Sequence, residues 1–534
     1  MNLFDSIFRS GTLERPAILY EQQRITYADL REQTLELATV LSKLEVERGD
    51  RVALMLNDSP EFVAAFIAIC SYGAIAVPIN MALRLEEQRA ILNDCTARLL
   101  IVEEEFSDSV LRDSARTMPH LESAVVVPRS ESTQDTTKPD QDVTPSIPVL
   151  SLTKLIIDSR RQPPPHFTSP SEDQPAFILY TSGSTGEPKG AVHRQSDIFY
   201  TNDTYCREVL NLTEGDRLFS SSRLPFAYGL GNGFTFPLLN GCTTILCREK
   251  PTPKVIARMF AEYKPTIFFA VPVVYSLLLA DRQEENSALD CSSLRLCISA
   301  GEALPAAIGE DWEKTFGVPV LDGIGSTEML HMWISNHEGE IAYGSSGKLL
   351  NGYEARLLGP EGKLAPSGTE GHLWVKGASA AIGYWERPET TATTFMDGWV
   401  RTGDLYRCDS NGFWFHMGRS DDCFKSSGQW VSPVEVEGVL LRHDGVSRAA
   451  VVEDFGDDGL PCACAFVVGT EREQDDTALE ISLRELARGA LPRFKQPRRY
   501  VFVDELPYTA TGKIQRYKLR EGLKAVQSPM SDTL

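Results

Sequence analysis

The chain has 534 residues, more than one hydrophobic core usually organises, so two or more domains are expected. Apolar residues make up 42% and charged residues 24%, the balance of an ordinary soluble globular protein. Fifty-three basic against 74 acidic residues leave a net charge of −21, which speaks against nucleic acid or an anionic membrane as partner and leaves room only for a local basic site.

The N-terminus MNLFDSIFRS has neither a basic n-region nor a long apolar stretch, so no signal peptide is expected. Eleven cysteines lack CxxC pairs and ligand-like His spacing; reduced thiols of a cytoplasmic protein are the simplest account, and structural zinc is not expected. Phe62–Ile79 is apolar enough to imitate a membrane span. Its punctuation predicts otherwise: Arg51–Leu56 reads as a strand, Ser59 caps a helix with Pro60 in its first turn, Gly73 ends it, and Ala74–Ile79 is a second buried strand. That is a βαβ unit of a parallel sheet. Residues from about Ser130 to Pro175 are rich in Pro, Ser, Thr, Asp and Gln, with an apolar break at Leu150–Ile157, and read as a surface excursion.

A short apolar strand, Ala176–Leu179, leads into YTSGSTGEPKG at Tyr180–Gly190. Glycines and small hydroxyl residues let backbone N–H groups converge on an anion, and Lys189 supplies a point charge. Gly190 follows that Lys where a Walker A loop has Ser or Thr, so this is a phosphate loop of another kind. The run Gly229–Gly233 lacks the spacing and following helix of a dinucleotide fingerprint. Further strands are expected at Thr243–Leu246, Thr266–Ala270 and Leu294–Ile298, giving α/β texture to about residue 340. From Gly344 to Trp414 short strands and Gly/Pro turns suggest an antiparallel sheet or barrel. A compact α+β segment then runs to about Arg520, and Gln527–Leu534 reads as frayed.

Taken in order, these motifs resemble the adenylate-forming superfamily of acyl-CoA synthetases, carrier-protein adenylation domains and luciferases. The set comprises YTSGSTGEPKG, DGIGSTE (Asp322–Glu328), RTGD (Arg401–Asp404), GRSDDCFKSSG (Gly418–Gly428) and TATGKIQR (Thr509–Arg516). More narrowly, FAYGLGNGFTFPL (Phe226–Leu238), LCISAGEALP (Leu296–Pro305) and DGIGSTEMLH (Asp322–His331) resemble the benzoate-CoA ligase branch. The resemblance implies a large N-terminal domain over 1–420, built of two α/β sheets and a distorted β-barrel. It also implies a small mobile C-terminal α+β domain over 421–534, with its hinge at Asp421.

The activity so implied is ATP-dependent activation of benzoate or a small substituted benzoate, 2-aminobenzoate or a hydroxybenzoate among them. An aryl-AMP forms first and then yields aryl-CoA, with pyrophosphate and AMP released. The alternative acceptor is a carrier protein in trans, and a non-catalytic nucleotide-binding scaffold is the third reading. Free CoA, ATP and Mg²⁺ are the implied co-substrates and cofactor, and the protein is expected to act as a monomer or homodimer.

Residue by residue, the resemblance places Thr181, Ser182, Gly183, Ser184, Thr185, Gly186 and Lys189 on the β- and γ-phosphates. Ser299, Ala300, Gly301 and Glu302 flank the adenine from one side, and Asp322, Gly323, Ile324 and Thr327 from the other. Asp404 accepts from the ribose hydroxyls with Arg419 close by. Glu328 shares Mg²⁺ with the phosphates, since a bare carboxylate there would be repelled. Lys513 is the adenylation lysine; its unit charge gains roughly 4 kcal/mol at about 4 Å from an oxyanion with an effective dielectric near ~20. Phe226, Ala227, Tyr228, Ala300, Gly325, His331 and Met332 line the aryl slot, where small residues leave room for a flat acid and aromatic ones offer ring contacts. Rotation about Asp421 would withdraw Lys513 and bring Lys425, Gly428 and Trp430 to the thiol's tunnel.

Overall fold

Residues 51–78 form the expected βαβ unit in the computed structural model of the chain. That structure describes residues 2–527 apart from 10–11, 129–146, 161, 168, 172, 183–187, 284–288, 360, 427–428, 457–458, 471–475 and 509–513. The helix Pro60–Tyr72 begins where Ser59 Oγ accepts from the Phe62 amide at 3.3 Å, and Gly73 closes it in the left-handed region at φ 97°. The strands Arg51–Met55 and Ile75–Pro78 pair in parallel, Arg51 opposite Ile75. All but two residues of that helix are buried, which is why a core element carries a membrane-like composition. Among the described residues no helix is long and apolar enough to cross a membrane.

This unit lies in an eight-stranded sheet whose parallel part ends with Val149–Ser151. Here the expected surface excursion needs correction. Its apolar break is a sheet-edge strand followed by the helix Leu152–Ser159, because Leu152 and Leu155 reach the core. At the other edge, Pro175–Ser182 and Pro188–Arg194 form an antiparallel hairpin, on which Gly383–Tyr384 adds a last strand.

A nine-stranded sheet carries Thr243–Ile245, Ile267–Ala270, Leu296–Ser299 and Val320–Gly325, all within its parallel portion. Residues 354–419 supply a five-stranded antiparallel sheet, the half-barrel. Beyond it, the three-stranded sheet Val446–Phe455, Pro461–Gly469 and Arg499–Phe502 packs helices Pro433–Leu440 and Asp476–Ala490 around its own apolar cluster. All eleven cysteines are free thiols.

The run Gly229–Gly233, read as lacking a following helix, is itself helical and leads into one. Helix Ala227–Leu230 continues as a π-helical turn, Gly231–Thr235, and then as helix Phe236–Leu239. The glycines serve packing: a Cβ on Gly229 would lie 2.0 Å from the Arg223 carbonyl oxygen.

Candidate active site

The carboxyl ends of parallel strands are where α/β sheets hold ligands, because the chain turns there expose loops and backbone amides. In this fold the ends of Leu296–Ser299 and Val320–Gly325 open into one cleft of about 2620 Å³. Its walls come from the phosphate hairpin, these strand ends, the half-barrel and the C-terminal segment from Asp421 onward. Acidic and basic side chains lining the cleft balance in number, whereas the whole chain carries −21. The basic site that composition demanded is therefore local.

Thr181 and Lys189 face each other across the hairpin and line the cleft. Ser182 pairs with Pro188, while Gly183, Ser184, Thr185 and Gly186 lie outside the described residues. The Lys189 ammonium sits 6.0 Å from the centroid of the Tyr384 ring. That tyrosine donates to Glu328 Oε1 at 2.7 Å, and the Ala381 amide donates to the Glu328 carbonyl at 2.8 Å. Glu328 lies on a 3₁₀ turn, Thr327–Met329, whose exit residue Leu330 takes φ 64°. A positive φ at a bulky side chain is strained and persists only where surroundings enforce it.

Buried His193 braces the same turn. Its Nδ1 is 2.9 Å from Asp197 Oδ2 and its Nε2 is 2.7 Å from the Thr327 carbonyl oxygen. A carbonyl can only accept, and the Asp197 carboxylate already accepts from the Arg194 amide and Nε. The His193 Nε2 therefore donates to Thr327, pinning that backbone beside Glu328, while Nδ1 faces the Asp197 carboxylate. Sequence reading missed Tyr384 and His193; the i,i+4 spacing of His193 and Asp197 was the available signal.

Ser299 is buried at its strand end, and Gly301, at φ 95°, lines the cleft. Gly323 and Gly325 can only be glycine, since Cβ atoms there would fall 2.7 Å from the Ile334 carbonyl oxygen and 2.6 Å from that of His331. Ile324 and Thr327 line the cleft beside them. Asp322 is buried, and its Oδ2 accepts from the Leu304 amide at 3.3 Å. Desolvation pushes its carboxyl up to about 8, against the opposing pull of that amide and of Ser299.

Across the cleft, Arg419 Nη1 donates to Asp404 Oδ1 at 3.1 Å, and His416 Nε2 lies 3.6 Å from the same oxygen. Burial pushes the Asp404 carboxyl up, but the His416 hydrogen bond and the Arg419 charge outweigh it and hold the group below its ordinary value. Asp404 is thus an ionised acceptor held rigidly, the chemistry a pair of vicinal hydroxyls requires.

The expected aryl residues do converge. Phe226 lines the cleft and caps the helix bearing Ala227 and Tyr228. The His331 ring lies 4.7 Å from Tyr205, 4.7 Å from Phe236 and 5.8 Å from Tyr228, centroid to centroid. Burial drives its imidazole down to about 3, so it is neutral, and among the described residues neither nitrogen nor the Tyr205 hydroxyl has a hydrogen-bond partner. Tyr228 is spoken for, donating to the Ile298 carbonyl at 3.1 Å. Ala300 and Met332 belong to the same buried cluster.

Lys513 and Gly428 lie outside the described residues. The residue after that lysine, Ile514, donates its amide to Glu302 Oε1 at 3.2 Å, so the C-terminal segment touches the cleft's adenine-side loop. Arg516, two residues further on, is clasped by both oxygens of Glu437 at 2.8 Å, and Asp422 pairs with Arg520 at 3.1 Å. Asp421 lines the cleft beside that network. Lys425 and Trp430 pair across the hairpin Phe424–Ser426 and Gln429–Val431.

Comparison with known proteins agrees with this geometry. Residues 8–385 match the AMP-binding enzyme model and residues 435–513 match the AMP-binding enzyme C-terminal domain. The chain is 39% identical over 502 residues to a benzoate–CoA ligase of Thauera aromatica, covering 93% of this chain and 90% of that one. Among solved structures it superposes on the anthranilate CoA ligase AuaEII in complex with anthranoyl-AMP, with a TM-score of 0.90, 35% identity and 98% of each chain covered. A benzoate CoA ligase from Burkholderia xenovorans LB400 follows with a TM-score of 0.86 and 36% identity, 97% of this chain and 100% of that one covered. Nucleotide-type motifs assembled at strand ends, with both modules matched along the chain, place it in the AMP-binding enzyme family.

Proposed function

We propose that this chain is an ATP-dependent, AMP-forming aryl-CoA ligase acting on benzoate or a small substituted benzoate, with 2-aminobenzoate and hydroxybenzoates as the substituted candidates. A thiol cannot displace oxide from a carboxylate, so the acid must first become a mixed anhydride with AMP. Charge then builds on the α-phosphate and departing pyrophosphate, where fixed cations and amides stabilise it most. Thr181, Ser182, Gly183, Ser184, Thr185, Gly186 and Lys189 are assigned to the β- and γ-phosphates, Asp404 to the ribose, and Lys513 to the α-phosphate and the substrate carboxylate.

Mg²⁺ fits the donor set. Among the described residues no cluster of three or more His, Cys, Asp or Glu could hold a metal alone, and Glu328 is a single carboxylate facing a phosphate site. Mg²⁺ takes one or two carboxylates and completes its shell with phosphate oxygens and water. Bound there, it would neutralise charge on the triphosphate.

The observation that carries the substrate reading is the small-walled aromatic enclosure behind Gly325: a neutral His331 among Tyr205, Tyr228 and Phe236, directly beneath the nucleotide-side turn. Such residues would offer a planar ring flat apolar contacts, and the acid's carboxylate would emerge at Gly325, toward the phosphates. For the second half, the reading assigns a hinge at Asp421 between domains 1–420 and 421–534. Turning there withdraws Lys513 and presents Lys425, Gly428 and Trp430 to CoA. The deciding experiment is acid-dependent ATP–pyrophosphate exchange over benzoate, 2-aminobenzoate, the hydroxybenzoates, cinnamate and a medium-chain fatty acid, with thioester measured on free CoA. Exchange with the fatty acid alone, or with no acid at all, overturns the proposal; exchange without thioester on CoA shifts the acceptor to a carrier protein.

A further inference from the structure

We infer that Tyr384 is a positioning residue that aims the Glu328 carboxylate at the nucleotide's metal and ties it to the phosphate-loop lysine. The inference rests on the adenylating reading given above, and on a junction no motif discloses. Tyr384 stands on the two-residue strand Gly383–Tyr384, which pairs antiparallel with Pro188–Arg194, the strand that begins with the Lys189 turn. Backbone hydrogen bonds extend that pairing at both ends: the Ile382 amide to the Val192 carbonyl at 2.8 Å, and the Trp385 amide to the Gly190 carbonyl at 2.8 Å. One residue further back, the Ala381 amide holds the Glu328 carbonyl. Residues 381–385 therefore bolt the return strand of the phosphate hairpin to the turn carrying the carboxylate.

The side chain completes the link. The Tyr384 hydroxyl donates to Glu328 Oε1, and its ring carries the Lys189 ammonium over one face at 6.0 Å. A lone glutamate on a short turn has three rotatable bonds, and a tyrosine that occupies one oxygen fixes the carboxylate's plane. Glu328 Oε2 accepts no hydrogen bond from the described residues and is the oxygen left for a cation. His193 Nε2 holds the Thr327 carbonyl of the same turn, so backbone and side chain are set by different partners.

The test is Tyr384→Phe, which keeps the ring and its contact with Lys189 but deletes the hydroxyl, with Tyr384→Leu to remove both. Calorimetric binding of a non-hydrolysable ATP analogue is measured with Mg²⁺ and with EDTA, beside the Mg²⁺ concentration giving half-maximal exchange. For Tyr384→Phe we expect affinity about tenfold weaker with Mg²⁺, and Mg²⁺ demand about tenfold higher, the loss of one hydrogen bond to a charged acceptor. Binding in EDTA, the KM for the aromatic acid and thioester formation from synthetic aryl-AMP stay within twofold. Tyr384→Leu should weaken analogue binding in EDTA as well, because the lysine loses its seat. Unchanged Mg²⁺ dependence in Tyr384→Phe, or equal weakening with and without Mg²⁺, overturns the inference. Failure of the wild-type protein to exchange pyrophosphate with any aryl acid would instead strike the functional reading, so the two failures are distinguishable.

Discussion

The hydrogen bond from the Ile514 amide to Glu302 Oε1, at 3.2 Å, joins the C-terminal segment to the cleft one residue beyond Lys513. The resemblance assigns Glu302 to the adenine, and the structure shows its carboxylate also accepting from the C-terminal segment. Replacing Glu302 by Ala removes a hydrogen bond to a charged acceptor, worth about 1.5–3 kcal/mol. If the loss falls on the closed lid alone, the closed population drops by about 10- to 100-fold, converting at 1.4 kcal/mol per decade. On the proposed reading adenylation needs the closed lid and thioester formation does not, so the two halves should separate. Stopped-flow or exchange kinetics of aryl-AMP formation should slow within that range, while CoA capture of synthetic aryl-AMP proceeds at the wild-type rate. Lys513→Ala provides the comparison: a still larger loss, confined to the same half. Equal slowing of both halves by Glu302→Ala, or slowing explained wholly by weaker ATP binding, would refute the lid assignment.

Three further outcomes are expected. Buried Asp322, raised to about 8 from an ordinary value of 3.8, holds its proton in the folded state over a range where the unfolded chain has lost it. It therefore makes stability fall as pH rises from about 4 to 8, by ~1.4 kcal/mol per unit; Asp322→Asn should abolish that slope in urea midpoints at pH 5, 6, 7 and 9, and parallel profiles would contradict it. Gly231→Ala places a Cβ 2.6 Å from His331 Cδ2 and 3.0 Å from Phe236 Cε2, so overpacking of about 1–3 kcal/mol should raise the aromatic-acid KM at least fivefold while leaving the KM for ATP alone. Asp421→Pro, by fixing φ at the assigned hinge, should leave one half-reaction near its normal rate and cripple the other; unchanged rates for both would remove the hinge.

What could be read from residues alone was whatever local chemistry announces. Ser59, Pro60 and Gly73 punctuate a helix by capping and by a left-handed exit, both decided within a turn, so the element was legible to the residue. Leu150–Ile157 was not, because an apolar break in a polar stretch looks the same whether it lies on a loop or joins a sheet edge. Motif residues such as Glu328, Asp404 and Lys189 were legible through their spacing. Their partners were not: Tyr384 meets Glu328 across 56 positions, and His193 meets Thr327 across 134. The helix over 229–239 was not legible from the glycine run, where glycine permits a helix to press on Arg223 and His331. Side-chain pairing at long range is a property of topology, and topology is where local signals stop.

The arrangement of charge explains how so acidic a protein can hold a polyanion. A net −21 spread over the surface would repel ATP, yet the cleft's own basic and acidic residues balance, and several acids there are already committed. Glu437 is bound to Arg516, Asp422 to Arg520, Asp404 to Arg419, and Asp322 keeps its proton. Each pairing on the C-terminal side is internal to the segment that carries Lys513, so the segment can travel as a unit without exposing an unpaired charge. Glu302 reaches across to it, accepting a backbone hydrogen bond from Ile514. A contact of that strength is enough to favour closure by one or two decades and weak enough to break in every turnover. The same economy places the demanding electrostatics on the rigid side, where Tyr384 and His193 hold the Glu328 turn, and leaves the moving side a latch that a single substitution can test.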